Sequence, residues 1–458
     1  MRQISTHMKY YQRLVDEYLI EWKNTTRRMP LLVRGARQVG KSTAIRELGK
    51  TFKYYVEINL ERQQSLKALF TEDIDVRKTC ANLSAVLSVP IVAGETLLFI
   101  DEIQSCQTAI RALRYFKEDF PELHVIAAGS LLEFALEELP SFAVGRIRSL
   151  YMYPFSFDEF VKAQGLDLQV ESKNAASSKE PLVAPIHIRL KEHLRNFYLV
   201  GGMPAAVAEW IESNDFTAVR RIHNDILDTY QDDFSKYNKR VSPVILRMVL
   251  MAVAQQSGCK FVYAQVSHDI HSSNIKEALS LLSLAGLATP VTYTAANGVP
   301  LGAEEDIRYR KYLFLDTGLM LTMQGIPAAD ILLSDETDLV NKGPLSEIFA
   351  GLELMKYGDC FVKPALYYWQ HQSKNGNAEV DYLTTRNGYV LPVEVKANTK
   401  GSMQSLYLFM RKRHLTNAVR TSLENFTRFD HVDSRDNQSV RRIEVIPLYA
   451  LKTLSSIK

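Results

Sequence analysis

The chain has 458 residues, too many for one ordinary hydrophobic core, which predicts roughly two to four domains. A hydrophobic fraction of 46% and a charged fraction of 23% are typical of a globular protein, and a net charge of +3 neither indicates nor excludes a nucleic-acid partner. The four cysteines form no CxxC pair, which argues against a disulfide framework and a zinc knuckle. No apolar run approaches the roughly 20 residues of a membrane span, and the first residues carry too many charges for a signal peptide. We therefore expect a soluble cytoplasmic protein with no membrane partner.

Short apolar strands alternate with helical stretches in residues 1–165, the pattern of a parallel α/β sheet. The candidate strands are residues 31–33, 55–60, 96–100, 124–128 and 147–153. We therefore expect the chain to open with an α/β domain.

The rest of the chain divides into four segments. Residues 165–185 are polar and rich in small side chains, which predicts an exposed linker, and residues 186–240 have a helical pattern. Residues 241–340 combine helices with two extended pieces around an Asn-Gly turn, the outline of a winged helix. The exposed side of this predicted winged helix is not strongly basic. It could therefore serve in packing or dimerisation instead of binding DNA. Residues 341–458 begin with a helix and continue as strands, which predicts a second α/β domain.

The stretch "GARQVGKST" places Gly35, Gly40, Lys41 and Ser42 in the spacing GxxxxGK[ST], after a strand and before a helix. The glycines let backbone N–H groups converge on phosphate oxygens, and the helix adds the positive end of its dipole. Lys41 would reach the β- and γ-phosphates, and Ser42 would hold Mg²⁺, with Thr43 as the second hydroxyl of the site. The stretch predicts a site for ATP with Mg²⁺.

An acidic pair supports this prediction. The stretch "TLLFIDEIQ" is a buried strand that ends in Asp101 and Glu102. Asp101 would hold the Mg²⁺ ion through Ser42 or through water, and Glu102 would polarise the attacking water.

Two further residues are candidates for the γ-phosphate. Ser130 follows a fourth strand, where it would sense the γ-phosphate or merely cap a helix. Arg146 is the candidate for neutralising phosphate charge, unless it forms a surface salt bridge. Arg148 competes for that role, and Arg34 and Arg37 flank the loop and could act similarly.

These stretches, together with "AAGSLLEFAL", "GRIRSLYMYPFSFDEF" and "YLVGGMPAAV", resemble bacterial and archaeal AAA-type ATPases of the additional-strand class of P-loop proteins. The resemblance covers nearly the whole chain. It implies a parallel-sheet ATPase core in residues 1–165, a helical lid in residues 186–240, a winged helix in residues 241–340 and a C-terminal domain of unknown function. It also implies ATP binding, and it supplies no substrate beyond the nucleotide.

The stretch "AEVDYLTTRNGYVLPVEVKAN" gives a second candidate site. Glu379 and Asp381 lie two apart on one predicted strand and share a face, as do Glu394 and Lys396 on the next. A turn between the strands predicts a hairpin that brings Asp381 near Glu394 and Lys396. Two carboxylates on one face can hold Mg²⁺, and a lysine can orient a water or remove its proton. Alternating charges on a solvent-facing hairpin are the alternative explanation.

This spacing resembles the PD-(D/E)xK, or restriction-endonuclease-like, nuclease core, although Val380 stands where the motif has proline. The resemblance implies that Asp381 and Glu394 are metal ligands and that Lys396 is the catalytic lysine. It also implies that Glu347, on the preceding helix, faces the same pocket.

Two functions are compatible with these sites. The first is an ATP-driven enzyme in which the nucleotide state positions the C-terminal nuclease on DNA or RNA. The alternative is a nucleotide-switched regulatory or scaffold protein whose nuclease-like domain is inactive. Both need ATP and Mg²⁺, and an arginine acting in trans would require a homo-oligomer.

Overall fold

A computed structural model describes residues 9–455 except 130–132, 134–135, 137–144, 238–239, 333–341, 374–375, 398–401 and 437. By internal contacts the chain consists of two compact units: residues 1–154 with 360–363, and residues 155–359 with 364–458. No helix in the described part of the chain combines the length and apolar composition that crossing a bilayer requires.

The first unit is built on a five-stranded sheet in the order β2-β3-β4-β1-β5, in which all paired neighbours are parallel. The strands are β1 (Leu31–Arg34), β2 (Tyr54–Asn59), β3 (Thr96–Asp101), β4 (His124–Ala128) and β5 (Arg148–Tyr151). The helices are α1 (Leu14–Asn24), α2 (Lys41–Gly49), α3 (Val76–Leu87) and α4 (Gln107–Asp119).

The inner strands β3 and β4 are buried along their whole length, as parallel strands covered on both faces by helices require. One core packs the sheet against α3 and α4, and includes Ile58, Ile100, Leu83 and Leu113. The five predicted strands are all present. In this sheet β4 lies between β1 and β3, and the parallel α/β core is consistent with the predicted P-loop ATPase fold.

The second unit holds eleven helices in the described part of the chain. They are α5 (Phe157–Ala163), α6 (Asp167–Ala175), α7 (Ala184–Val200), α8 (Pro204–Ser213), α9 (Phe216–Asp233), α10 (Pro243–Gln255), α11 (Ser272–Leu284), α12 (Thr317–Met323), α13 (Ala328–Leu332), α14 (Lys342–Lys356) and α15 (Gln404–Lys412).

An eight-stranded mixed sheet completes this unit in the order β12-β13-β11-β10-β9-β8-β6-β7. Its strands are β6 (Ala288–Thr294), β7 (Glu305–Phe314), β8 (Leu366–Ser373), β9 (Gly376–Arg386), β10 (Tyr389–Val395), β11 (Asn417–Ser422), β12 (Thr427–Asp433) and β13 (Ser439–Pro447). Helix α15 packs on one face, where Leu406, Phe409 and Met410 are buried against Trp369 and Val380.

The prediction of a linker in residues 165–185 is wrong over part of its length. Helix α6 occupies residues 167–175, and it buries Val170 and Lys173. The Lys173 ammonium lies 2.7 Å from the carboxylate of Asp158 on α5. The polar composition of this segment did not reveal the helix, because its inward-facing Lys173 is neutralised by the buried Asp158.

The predicted hairpin near residue 297 is present, but it is not the free wing of a winged helix. Strands β6 and β7 pair antiparallel, and β6 also pairs in parallel with β8, so one sheet runs from residue 288 to residue 447. The expected division near residue 340 therefore does not separate two sheets. The boundaries of the lid and of the C-terminal domain remain predictions.

Candidate nucleotide site and C-terminal carboxylate cluster

The loop between β1 and α2 has the backbone shape that its glycines permit. Gly35 has a φ of +142°, and a Cβ there would lie 2.1 Å from the carbonyl oxygen of Met152. Gly40 has a φ of +96° and caps the amino end of α2. Any side chain at either position would be strained, because the left-handed region is costly for other residues.

Lys41 is buried at the start of α2, with 8% of its surface exposed. Its ammonium donates hydrogen bonds to the carbonyl oxygens of Gly35 and Ala36, each at 2.8 Å. Burial lowers the pKa of Lys41 to about 8, although Glu102 and Asp101 act in the opposite direction. The lysine is thus held over the loop that the sequence predicts to cradle phosphate.

Ser42 and Asp101 meet beside the loop. The Ser42 hydroxyl oxygen lies 3.3 Å from Oδ2 of Asp101, and Nδ2 of Asn59 lies 3.4 Å from the same oxygen. Burial and the neighbouring Glu102 raise the pKa of Asp101, while hydrogen bonds from the Glu102 N–H and Ser42 lower it. A hydroxyl and a carboxylate are oxygen donors of the kind that Mg²⁺ prefers, so this pair fits that ion. Thr43 is exposed on the first turn of α2.

Glu102 sits in a strained backbone conformation directly after β3, with a φ of +50°. A left-handed conformation at a residue other than glycine costs free energy and is frequent at functional sites. One carboxylate oxygen accepts a hydrogen bond from Nε2 of Gln104 at 2.5 Å.

Arg13 is part of this site, and sequence reasoning did not find it. The residue precedes α1 and is 6% exposed. Its guanidinium donates to the carbonyl oxygen of Val39 in the loop at 2.9 Å and to that of Tyr153 at 2.7 Å. The arginine thereby ties the loop backbone to the segment after β5. The sequence carries no signal for this contact, since an arginine near the amino end of a helix is common.

Of the two other candidates for the γ-phosphate, Arg146 is not brought to the loop. Ser130 lies outside the described residues. Arg146 precedes β5, which runs parallel to β1, so it lies at the amino ends of the strands, whereas the loop follows the carboxyl end of β1. Its guanidinium bonds to Glu118 at the end of α4. A contact between Arg146 and phosphate on the same chain is therefore not supported, and Arg34 is engaged by Glu133 at 2.9 Å.

In the C-terminal sheet, the predicted hairpin is formed by β9 and β10. Its register pairs Val393 with Tyr382, which places Asp381 beside Glu394. The Lys396 ammonium donates to Glu394 at 2.6 Å, and Oδ2 of Asp381 accepts from the N–H of Val395 at 2.7 Å. Burial acts to lower the pKa of Lys396, but Glu394 and Asp381 hold it above its ordinary value. The three predicted residues therefore interact.

Glu394 itself is 3% exposed, and its pKa is raised to about 8 by burial and by the nearby Asp381. One of its oxygens, Oε2, is buried without a hydrogen-bond partner in the described part of the chain. An unsatisfied carboxylate oxygen in a buried position is costly.

Glu347 faces the same region from α14. Its carboxylate and those of Glu379 and Asp381 have oxygens within 4.8 Å of one another. Burial raises the pKa of Glu347 to about 8, and Asp381 and Glu379 add to the effect while Lys311 opposes it. We refer to Glu347, Glu379 and Asp381 as the carboxylate cluster.

Lys311 on β7 completes the cluster, and sequence reasoning missed it. The side chain is 2% exposed, and its ammonium lies 2.8 Å from Oε1 of Glu347 and bonds to Glu379. The carboxylate oxygens are suitable donors for Mg²⁺, but an ammonium already contacts two of the three groups. With Lys311 in this position, the cluster does not fit a divalent cation.

Three parts of the chain match models of known protein families. Residues 27–161 match the family model of an AAA domain, and this match contains the loop, β3 and the Ser42–Asp101 contact. This match supports an ATPase-like P-loop domain in residues 27–161. Two further matches, at residues 191–330 and 342–451, are to domains of unknown function, DUF8612 and DUF4143.

Solved structures that resemble the chain share little sequence with it. The Walker-type ATPase PABY2304 of Pyrococcus abyssi is 17% identical, with a TM-score of 0.43, over 69% of this chain and 96% of that one. CDC6P of Pyrobaculum aerophilum is 10% identical, with a TM-score of 0.26, over 71% and 96%. The STAND protein PH0952 of Pyrococcus horikoshii, which has a tetratricopeptide repeat sensor, is 10% identical, with a TM-score of 0.29, over 76% and 47%. Comparison with curated proteins found no match.

Proposed function

We propose that the AAA domain binds ATP with Mg²⁺ and hydrolyses it. The observation that carries this proposal is the meeting of Ser42 and Asp101 at 3.3 Å beside the buried ammonium of Lys41. Lys41 and Ser42 begin α2, which follows β1, and Asp101 ends β3. These groups are distant in sequence, and they converge at the carboxyl edge of a parallel sheet, where such sheets bind ligands.

Each residue has a distinct task in this proposal. The Lys41 ammonium exchanges the carbonyl oxygens of Gly35 and Ala36 for phosphate oxygens, and the loop N–H groups bind the remaining oxygens. Mg²⁺ held at Ser42 and Asp101 would neutralise charge on the phosphates. Glu102 orients the attacking water and accepts its proton.

The binding step is tested with Lys41→Ala. In the wild-type chain, saturating ATP raises the Tm because it binds the folded state alone, and the variant loses this shift. Arg27→Ala is a matched control, because Arg27 is an exposed cation of the same unit. An undiminished ATP shift in Lys41→Ala would exclude the loop as the nucleotide site.

The hydrolysis step is tested with Glu102→Gln. The variant keeps the shape of the side chain but cannot accept a proton, so we expect ATP binding to persist while kcat falls by about 10²-fold to 10⁴-fold. Phosphate release and the ATP-induced Tm shift are measured on the same preparation. Unchanged turnover would assign the base to another residue.

The second candidate function is phosphodiester cleavage of DNA or RNA by the C-terminal unit, under the control of the nucleotide state. The observation that favours it is the interaction of Asp381, Glu394 and Lys396 on the β9–β10 hairpin. The alternative, a scaffold whose C-terminal unit binds partners without chemistry, uses the same hairpin as a structural element only.

A cleavage assay separates these two roles. Labelled single-stranded and double-stranded DNA and RNA are incubated with the chain and Mg²⁺ or Mn²⁺, with and without ATP. Cleavage that is lost in Lys396→Ala and kept in Lys412→Ala, an exposed lysine of α15, would support the nuclease. The absence of cleavage under all conditions would favour the scaffold.

A further inference from the structure

The carboxylate cluster contains its own cation. We propose that the ammonium of Lys311 neutralises Glu347, Glu379 and Asp381 in the resting chain, and that a divalent cation binds the cluster only when Lys311 is removed or displaced. The proposal concerns cation occupancy in the resting chain, and metal-dependent cleavage at Asp381 would require Lys311 to leave the cluster first.

The position of the ammonium is the first support. It contacts two carboxylates of the cluster, one at 2.8 Å, and it also lies 5.0 Å from the ring centroid of Tyr368. Carboxylates and an aromatic face both attract a cation, so three separate elements, α14, β8 and β9, favour a positive charge at this point.

The backbone of Lys311 is held in place by neighbouring residues on both sides of its strand. The residue pairs with Val291 of β6, and it also forms a bridge with Lys260 on its other side. Because the strand is held on both sides, the ammonium can leave the cluster only by rotation of its own side chain. Since 98% of the residue is shielded from solvent, rotation outward would require the surrounding side chains to move.

The charge balance explains why a metal and the lysine exclude each other. A metal ion bound to carboxylate oxygens lies roughly 2.0–2.6 Å from them, so it would stand within a few ångströms of an ammonium that contacts the same oxygens. The two positive charges would repel each other in this partly buried site. Without Lys311, three carboxylates within 4.8 Å of one another would instead repel, and a divalent cation would relieve that repulsion.

The experiment measures Mn²⁺ binding by the full chain in the absence of nucleotide, by electron paramagnetic resonance of the free ion. We expect no binding at the cluster in the wild type up to millimolar Mn²⁺, and one bound ion in Lys311→Met, with affinity increased by about 100-fold or more. A second substitution, Glu379→Gln, should remove the ion bound by Lys311→Met. Lys260→Met is the matched control, because it removes an exposed lysine that bridges to Lys311 through the backbone only.

Two results would overturn the proposal. One is Mn²⁺ binding by the wild-type chain that is lost in Glu379→Gln, a result that does not depend on the folding of a Lys311 variant. The other is the failure of both Lys311→Met and Lys311→Gln to bind Mn²⁺ when circular dichroism shows that they are folded. Neither readout involves ATP hydrolysis or cleavage, so failure of the proposed function would be seen separately.

Discussion

At the scale of single residues, Arg13 shows how a side chain outside a motif can set the geometry of a site. Its guanidinium donates hydrogen bonds to the carbonyl oxygens of Val39 and Tyr153, and hydrogen bonds from a charged donor contribute about 1.5–3 kcal/mol each.

The substitution Arg13→Ala would free the loop backbone, so ATP would then have to order the loop as it binds. We expect the KM for ATP to rise by about 10-fold while kcat changes little. Steady-state kinetics of Arg13→Ala, Arg13→Lys and Arg27→Ala would measure this, and an unchanged KM in Arg13→Ala would assign the arginine to stability alone.

His124 provides a prediction about pH. The ring is buried on β4 against Trp22 and Phe52, with Nε2 at 3.1 Å from the carbonyl oxygen of Lys23. Burial lowers the pKa of His124 to about 4, whereas an unfolded histidine has a pKa of about 6.5. Between pH 6.5 and 4 the unfolded chain therefore binds a proton that the folded chain does not, and stability falls as the pH falls.

The measurement compares Tm for wild type and His124→Asn at pH 7.5 and at pH 5. Any stability advantage of the wild type should shrink at pH 5, because the variant lacks this titration. His414→Asn, at an exposed histidine, should leave the pH dependence unchanged. Parallel curves for wild type and His124→Asn would contradict the prediction.

These residues also show what a sequence can and cannot reveal about a site. Lys41 and Ser42 were predictable because the spacing of one motif places them, and Asp101 because it ends an apolar strand. The Arg13 contact spans 26 residues, and those of Lys311 with Glu347 and Glu379 span 36 and 68. A buried arginine or lysine has no local signature, because only its distant partners distinguish it from a solvated side chain.

At the scale of elements, α14 packs closely against β9, and this packing places Glu347 in the carboxylate cluster. The Tyr382 hydroxyl donates to the carbonyl oxygen of Glu347 at 2.7 Å, beneath Gly351 of the same helix. A Cβ at position 351 would lie 2.3 Å from that hydroxyl oxygen and 2.5 Å from Cδ1 of Leu313. Only glycine leaves room for this packing.

We therefore expect Gly351→Ala to destabilise the second unit by about 1–3 kcal/mol, the usual cost of overpacking. Gly343→Ala on the same helix is the control, because a Cβ there meets nothing within 4 Å and alanine favours helix. Urea unfolding of the two variants would measure the difference. Equal midpoints would show that the helix can shift away from β9 at little cost.

The elements themselves were predicted with uneven success, for a physical reason. All five strands of the first sheet were predicted, and the signal was clearest for β3 and β4, because a parallel strand buried on both faces needs an apolar run. Helix α6 was missed because its inward side carries Lys173, whose charge is neutralised by Asp158, a residue outside the helix. The parallel pairing of β6 with β8 was also missed, because a hairpin signal reports only on adjacent strands.

At the scale of the whole molecule, the position of Arg146 bears on whether one chain would be sufficient for the proposed ATP hydrolysis. It lies at the amino ends of the strands of the first unit, where it bonds to Glu118, while the nucleotide loop is at their carboxyl ends. Within one chain Arg146 therefore cannot contact the γ-phosphate without rearrangement of the unit. If it takes part in catalysis, the phosphate belongs to a second copy of the chain, as in P-loop enzymes that receive an arginine in trans.

From this geometry we expect two results for the Arg146→Ala variant. In dilute solution the variant should bind ATP as tightly as the wild type, because the side chain is distant from the loop of its own chain. If its turnover falls, mixing it with Lys41→Ala should restore activity, since one variant supplies an intact loop and the other supplies the arginine. Titration calorimetry and phosphate release from the mixture measure both quantities. Weaker ATP binding by the isolated variant would instead place Arg146 at the loop of its own chain, and would require β5 and α4 to rearrange when the nucleotide binds.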